Sequence, residues 1–361
     1  MIDKIFLFLL VLIFLVCACD NSTAPDTSKE TEVILNKIFI AADFGLINGY
    51  SFVTLNTDGS NLEFFGEGIL DVRGIDFSSD KSFFCFLSMD DNWSQNEDGS
   101  FGFPIYTCTL EDKQIESIGI NATINDLKLS NNDSQIAYFT SLNKSLSGFY
   151  KLFISNIDGS NIDSLYNTSG SFNSGVGVYG WGENDNSVIY IIYHAIEFEP
   201  VFPTPFYYEI PVDGKSPPEE ILNPGPIMLE ETVYLDDFAR VDGPVTVDSI
   251  NISYTDGNYP DYYYQAKFYE IGVYPFTGYV ICIFSYDLKN KKEYLIADSL
   301  IPSSQLGTQL IYSPDRSQIV FKSENGLEIS DYTGENRKVI LSSEIIPDFH
   351  ESSIYYTIKW L

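Results

Sequence analysis

The sequence predicts an all-β fold: a single β-propeller, most simply of six four-stranded blades, with seven blades as the alternative. Two observations predict this fold. A strand–turn–strand motif recurs along the chain, and a second, hairpin-forming motif follows most of its copies. Repeats of this length, each supplying a few short strands separated by turn residues, are typical of propellers.

The clearest copy of the repeat runs from Tyr312 to Leu341. Its first turn, Ser313–Ser317, combines Pro, Asp and Ser, which are residues that favour tight turns. Apolar and polar residues then alternate, and Asn325-Gly326 is a hairpin signal. The segment therefore predicts four antiparallel strands within about 30 residues, which is one propeller blade.

Further copies align with this one without gaps. Phe77, Leu129 and Trp181, which open three of them, are 52 residues apart. Weaker copies lie at 36–40, 248–252 and 352–356. The hairpin motif occupies six places: Thr57–Asn61, Glu111–Lys113, Ile157–Asn161, Val212–Lys215, Lys289–Lys291 and Thr333–Asn336. Six turns predict six blades, and a spare terminal strand is expected to close the ring and remove its open edges.

The pairing of these two motifs resembles the TolB-type propeller repeat, in which a strand, a Ser-Pro-Asp-Gly turn, a strand and an Asp-Gly-Ser-Asn hairpin recur. The resemblance covers about residues 33 to 361, although most copies lack the Gly after the turn Asp. It implies the propeller fold. It does not imply the Tol partner set, because the lead before the repeat is too short for the α/β domain that precedes the TolB propeller.

The first residues predict export and lipid anchoring. Ile5 to Val16 is an apolar run of twelve residues, too short to span a membrane and suited to a signal peptide. Val16 to Cys19 resembles a bacterial lipobox, with Cys19 as the lipidated residue; a plain cleaved signal peptide is the alternative. We therefore expect a signal peptide at 1–18, a lipidated tether at 19–31 and the propeller at 32–361.

The charge of the chain excludes one class of partner. Fifty-one acidic and 20 basic residues give a net charge of −31. Such a surface repels phosphate backbones, so nucleic-acid binding is not expected. Solubility explains the charge most simply, and a cationic partner or calcium is the alternative. No metal site and no cofactor are predicted, since the two histidines, His194 and His350, are far apart in sequence.

Enzyme motifs are also absent: there is no Gly-x-Ser-x-Gly elbow and no Gly-rich phosphate loop. The sequence therefore favours a binding or scaffold module in the bacterial cell envelope, facing the periplasm or cell surface, with a protein, peptide or glycan ligand. The alternative is a carbohydrate-active enzyme that uses carboxylates in the central channel.

Three insertions break the repeat, at 88–103, 193–240 and 256–279, and function often lies in such loops. The third is rich in tyrosine, a good contact residue. Its candidate ligand contacts are Tyr259, Tyr262, Tyr263, Tyr264 and Tyr269. The alternative is that these rings only cover the end of a blade.

Three cysteines remain beyond the predicted signal segment and the lipidation site. Cys85 and Cys108 fall on consecutive predicted strands of one blade. Two outcomes are therefore open: three buried free thiols, or a cross-strand disulfide between Cys85 and Cys108 in an oxidising compartment.

Overall fold

The computed structural model describes a chain that is nearly all β-strand. The described residues are 37–43, 50–69, 72–88, 94–123, 127–142, 149–169, 175–193, 205–225, 228–241, 249–255, 257–273, 276–301, 310–323, 325–342 and 357–361. Within these ranges there is no α-helix, only two short 3-10 turns at Glu183–Asp185 and Leu235–Asp237. The predicted all-β class is thus confirmed.

The strands are short and closely spaced through the first half of the chain. In order they are β1 (Lys37–Asp43), β2 (Tyr50–Asn56), β3 (Glu63–Ile69), β4 (Val72–Phe77), β5 (Phe83–Ser88), β6 (Ser94–Gln95), β7 (Phe101–Thr109), β8 (Ile115–Ala122), β9 (Lys128–Leu129), β10 (Gln135–Ser141), β11 (Phe149–Asn156), β12 (Asp163–Ser169) and β13 (Gly175–Trp181).

The second half has the longest strands as well as short ones. They are β14 (Ser187–Tyr193), β15 (Pro205–Pro211), β16 (Glu219–Ile221), β17 (Met228–Tyr234), β18 (Ala239–Arg240), β19 (Ser249–Thr255), β20 (Tyr262–Val273), β21 (Phe276–Asp287), β22 (Lys292–Ile301), β23 (Leu310–Tyr312), β24 (Gln318–Ser323), β25 (Gly326–Asp331), β26 (Lys338–Ser342) and β27 (Thr357–Trp360).

The strands pair into consecutive sheets, numbered here by position along the chain. Sheet 1 has the order β27-β1-β2-β3, sheet 2 β4-β5-β7-β8, sheet 3 β9-β10-β11-β12, sheet 4 β13-β14-β15-β16, sheet 5 β17-β19, sheet 6 β18-β22-β21-β20 and sheet 7 β23-β24-β25-β26. Except for the parallel pair β18–β22, neighbouring strands are antiparallel. The strands β4 to β12 form one continuous nine-stranded sheet, which is divided here at the single pair Ser141–Phe101 between β10 and β7 into sheets 2 and 3; the two-residue β6, which pairs with β7, is left out of the count. Divided in this way, the described strands form six sheets of four strands and one of two.

The turns of the repeat have the backbone that the sequence motifs require. After each gapless turn a strand begins, as predicted, at Phe83, Gln135, Ser187 and Gln318. The hairpin motifs place Gly59, Gly159 and Gly334 at φ near +78°. Glycine suits these positions because a side chain there would be strained. At Gly159 an added Cβ would also lie 2.0 Å from the Ile118 carbonyl oxygen of sheet 2.

Neighbouring sheets are joined by apolar clusters. In the described part of the chain these clusters join sheets 7 and 1, 1 and 2, 2 and 3, 3 and 4, 5 and 6, and 6 and 7. Because β1, β5, β10 and β14 are covered on both faces, consecutive residues in them are buried. Phe84 faces the cluster shared with sheet 1, while Cys85 faces the cluster shared with sheet 3. These strands therefore read as apolar runs without strict alternation.

Carboxylates at the repeat turns add polar links between sheets 2, 3 and 4. Asp133, which adopts φ +59°, accepts hydrogen bonds from the backbone N–H of Ser79 at 2.9 and 3.0 Å. Asp185, one sheet further on, accepts from the backbone N–H groups of Asn131 at 2.7 Å and Asn132 at 3.0 Å. Each carboxylate thereby satisfies turn donors of the preceding sheet, which fixes the spacing of the turns.

The region from β17 to β22 differs from the prediction. The weak copy at 248–252 leads into β19, which pairs with β17 and with no other described strand. The supposed third insertion, 256–279, is not a loop: it supplies all of β20 and the beginning of β21, which pair along twelve residues. The sequence misled here because tyrosine-rich segments suit strands as well as contact loops.

Of the two outcomes left open for the cysteines, the structure has buried free thiols and not the disulfide. The register places Cys108 opposite Phe84 and Thr107 opposite Cys85. Since side chains alternate between the faces of a sheet, the two thiols point in opposite directions. Both cysteines are buried and free, in different clusters, and Cys282 is buried and free as well.

We predict that Ile319→Asp strongly destabilises the fold. Ile319 is 0% exposed in the cluster between sheets 6 and 7, so the new carboxylate would lose its water without gaining a partner. The expected loss in the free energy of unfolding, measured by urea titration, is roughly 3 kcal/mol or more. Ile162→Asp is the matched control because Ile162 is 52% exposed. Equal stability of the two variants would contradict the burial of β24.

Candidate functional site

One of the five candidate tyrosines lies within the core. Tyr264 is buried between sheets 6 and 7, and its hydroxyl donates a 2.9 Å hydrogen bond to the carbonyl oxygen of Arg316. Its ring also stacks on Tyr312 at 5.5 Å between centroids. Burial raises the pKa of its hydroxyl, as expected for a ring without water around it. Tyr264 therefore joins two sheets and is not available to a ligand.

The other candidate tyrosines do not form one surface. Tyr262 stacks on Tyr332 with centroids 4.2 Å apart, and Tyr263 lies 6.3 Å from Tyr286 on the opposite face of sheet 6. Tyr259 is exposed and packs edge-on against Tyr254. These rings therefore face in different directions. The backbone of Tyr269 lies in β20, but its side chain is outside the described part, as are Cys19, His194 and His350.

The second aromatic segment also contributes to a sheet. Phe206, Tyr207 and Tyr208 lie in β15, paired with β14. Tyr208 stacks on the buried Tyr190 at 5.4 Å, while Tyr207 packs edge-on against Tyr179 at 5.2 Å on the other face. Their alternation between the two faces of a strand explains why the sequence is aromatic without forming a ligand shelf.

A mixed polar cluster lies on the face of sheet 6 that packs against sheet 5. The Lys267 ammonium donates a 2.5 Å hydrogen bond to the Tyr286 hydroxyl and lies 4.7 Å from the centre of the Phe284 ring. Desolvation by burial lowers the pKa of Lys267, and the nearby Glu293 opposes this effect. Glu293 Oε2 is 3.6 Å from Arg240 Nε, too far for a hydrogen bond. The cluster is charged, partly buried and incompletely hydrogen-bonded.

A second charged pair is fully engaged. Glu328 of β25 is 2% exposed and accepts hydrogen bonds from Arg337, Ser323 and Asn325. Burial alone would raise the pKa of this carboxyl, but the bonds from Arg337 and Ser323 outweigh burial, so the pKa lies below its ordinary value. The pair stabilises sheet 7, and the Glu328 carboxylate is used in these hydrogen bonds.

One carboxylate, Asp76, lies on β4, the first strand of sheet 2, where a propeller channel would lie. Asp76 of β4 accepts a 2.9 Å hydrogen bond from the backbone N–H of Leu129 and lies 3.6 Å from the Lys128 ammonium. The described residues include no group of three or more His, Cys, Asp and Glu side chains arranged to hold a metal ion. Asp76 thus has a structural partner already.

One surface stands out that the sequence did not indicate. On sheet 5 the register places Glu230 opposite Ser253, Thr232 opposite Asn251 and Tyr234 opposite Ser249. All of these except the half-buried Ser249 are exposed, and the Tyr234 ring is 67% exposed. We call Glu230, Thr232, Tyr234, Asn251 and Ser253 the exposed face of sheet 5. No motif marked it, because the segment reads as a weak copy of the repeat.

The opposite face of sheet 5 is covered. Val233, Ile250 and Ile252 are buried against Phe284 and Tyr286 of sheet 6. One face of this short sheet is therefore fixed by a core, while the other presents hydroxyl, amide, carboxylate and aromatic groups to solvent. A face of this kind can bind a polar or cationic chain, since it offers acceptors and a π surface together.

We predict that Tyr264 contributes to stability and not to binding. Tyr264→Phe removes the hydrogen bond to Arg316 and should cost about 1 kcal/mol of unfolding free energy. Tyr264→Ala leaves a cavity as well and should cost roughly 3 kcal/mol or more. Thermal melts compare these variants with Tyr259→Ala, which removes an exposed ring. A Tyr264→Ala variant that melts with the parent would restore Tyr264 as a candidate ligand contact.

We predict a pH-dependent contribution from Glu328. Its pKa is lower in the folded chain than in the unfolded one, so its stabilisation is present above the unfolded pKa and is lost as pH falls through the folded pKa. At pH 7 Glu328→Gln should cost about 2 kcal/mol, a value typical of lost charged hydrogen bonds. Urea titrations from pH 7 to pH 3 should show this difference shrinking in acid. A constant difference would contradict the prediction.

No protein-family model and no curated protein matches the chain. Among solved structures, TolB from Acinetobacter baumannii aligns over 84% of this chain and 63% of its own length, with 12% identity and a TM-score of 0.39. An oligogalacturonate lyase in complex with manganese aligns over 84% and 73%, with 11% identity and a TM-score of 0.39.

The β-propeller domain of the Trilobed protease from Pyrococcus furiosus aligns over 84% of this chain and 81% of its own, with 10% identity and a TM-score of 0.34. The chain thus spans less than two thirds of the TolB length. At these identities and TM-scores the three likenesses say nothing about a ligand or reaction of this chain.

Proposed function

We propose that this protein is an exported, lipid-anchored β-propeller that acts as a binding or scaffold module in the bacterial cell envelope. The observation that carries the binding role is the exposed face of sheet 5. It joins Tyr234, Asn251 and Glu230 on a sheet whose other face is held by a core. A rigid sheet with exposed aromatic and hydrogen-bonding groups suits recognition better than catalysis.

The anchoring part of the proposal rests on the sequence. The apolar run Ile5 to Val16 suits an export signal, and Cys19 follows Ala18 as the lipidated cysteine of a lipobox would. Acyl chains on Cys19 would hold the protein at a membrane through its polar tether. None of the described residues forms a helix that could span a membrane.

The ring itself is part of the proposal. Six four-stranded sheets support the count of six blades, and the two-stranded sheet 5 supports the alternative of a seventh, incomplete blade. Pairing of β27 with β1, residues Ile38 to Ala41 against Thr357 to Trp360, supports closure by the terminal strands. Closure of this kind would remove two sheet edges.

Binding is favoured over the alternative of a carbohydrate-active enzyme. Such an enzyme needs a general acid and a base placed around a substrate. In the described part of the chain, Asp76 accepts a hydrogen bond from the Leu129 N–H and lies 3.6 Å from the Lys128 ammonium, and Glu328 accepts a hydrogen bond from Arg337. These carboxylates are already used in holding strands together.

The test of the anchor compares two cysteine variants in membrane fractionation. Cys19→Ala should move the protein from the membrane to the soluble fraction, because the site of acylation is lost. Cys17→Ala is the matched control and should leave the protein in the membrane fraction. Membrane retention of a correctly cut Cys19→Ala protein would contradict the lipid anchor. Release by Cys17→Ala alone would contradict Cys19 as its site.

A further inference from the structure

We propose that sheet 5 binds an extended, basic polypeptide segment, which adds to it as a further strand. This inference deepens the proposed binding role and rests on it. It names the class of partner, a positively charged peptide in β conformation, and the surface, the exposed face of sheet 5 with the edges of β17 and β19.

The first step is the number of strands. Sheet 5 has two described strands, whereas the other six sheets have four. Within the described ranges, β17 pairs only with β19 along seven residue pairs, from Met228 with Thr255 to Tyr234 with Ser249. A two-stranded sheet is marginally stable alone, and an edge strand is a ready template for pairing.

The second step is rigidity. Val233, Ile250 and Ile252, with 0 to 6% exposure, hold the sheet against Phe284 and Tyr286. A Thr232 hydroxyl donates a 3.0 Å hydrogen bond across the strands to Asn251 Oδ1. A partner strand would therefore meet a backbone already held in place, and little conformational entropy would be lost by the protein.

The third step is charge. Exposed carboxylates flank the uncovered Tyr234 ring: Glu230 and Glu231 precede it on β17, and Asp236 and Asp237 follow it. The net charge of the whole chain is −31, so the field also attracts cations from a distance. On the exposed face, lysine or arginine side chains of the partner would find the Glu230 carboxylate and, four residues further along β17, the Tyr234 ring.

The side chains on the two faces set the pattern of the partner. Residues of an added strand would alternate between the exposed face, with Glu230 and Tyr234, and the covered face, where Leu229 and Tyr254 are opposite each other. Basic residues fit the first set of positions, and aliphatic residues fit the second. The preferred segment therefore alternates lysine or arginine with valine, isoleucine or leucine.

The experiment titrates the full chain against a fluorescein-labelled heptapeptide of alternating lysine and valine and follows fluorescence anisotropy. A peptide of alternating lysine and proline has the same charge but cannot pair as a strand. Two further peptides carry N-methyl groups on alternate residues, one on odd and one on even positions. In strand addition only one set of amides faces the protein, so one N-methylated peptide should lose binding and the other keep it.

Two charge-reversal variants provide the matched control on the protein. Glu230→Lys on sheet 5 should weaken binding of the lysine–valine peptide by about tenfold or more. Glu219→Lys, a change at another exposed position on the edge strand β16, should change the affinity for this peptide by less than about twofold. Thermal melts of both variants should match the parent, since both positions are exposed.

Several outcomes would overturn the proposal. These are no saturable binding, equal binding of the lysine–proline peptide, equal effects of the two N-methylated peptides, or equal effects of the two charge reversals. Saturable binding of maltohexaose that is lost in Tyr234→Ala, without peptide binding, would assign the face to a glycan and overturn the peptide assignment. The membrane fractionation of Cys19→Ala does not depend on any of these results. Failure of the peptide proposal therefore leaves the test of the lipid anchor unaffected.

Discussion

The structure depends on apolar contact between the faces of neighbouring sheets. No single sheet of two- to twelve-residue strands has enough area to be stable alone, so each gains its stability from the next. Strand β5 shows this most clearly. Its residues Phe84, Cys85, Phe86 and Leu87 are all 0% exposed, and their side chains point alternately to sheet 1 and sheet 3. Polar contacts such as Asp133 with Ser79 then fix the offset between sheets that the apolar contacts leave loosely defined.

The regular part of the fold could be predicted from the sequence because its signals are local. Turn residues around Asp80, Asn132 and Asp315 have to bond nearby backbone groups, and they did so in the structure. Hairpins that need a positive φ require Gly, Asn or another polar residue that tolerates this conformation. Gly59 and Gly159 both adopt a positive φ in such hairpins. The apolar runs between these turns could then only be strands.

The irregular part could not be predicted, because its outcome depends on contacts distant in sequence. The tyrosines of β20 look the same in the sequence whether they face solvent or a neighbouring sheet. Tyr264 faces a neighbouring sheet because its hydroxyl bonds to the carbonyl oxygen of Arg316, which is 52 residues away in sequence. The same holds for Cys85 and Cys108, whose separation followed from a strand register that no local residue specifies. The exposed face of sheet 5 was not predicted from the sequence. It follows from the pairing of β17 and β19 with each other alone among the described strands.

The position of the thiols has a consequence for how the chain can be made and stored. Burial raises the pKa of Cys85 and brings that of Cys108 to about 12, so almost no thiolate is present at neutral pH to react with oxidants or other thiols. Because these thiols lie in separate clusters, the described fold has the same covalent form in reducing and oxidising surroundings. Formation of the described fold therefore does not depend on a disulfide among Cys85, Cys108 and Cys282.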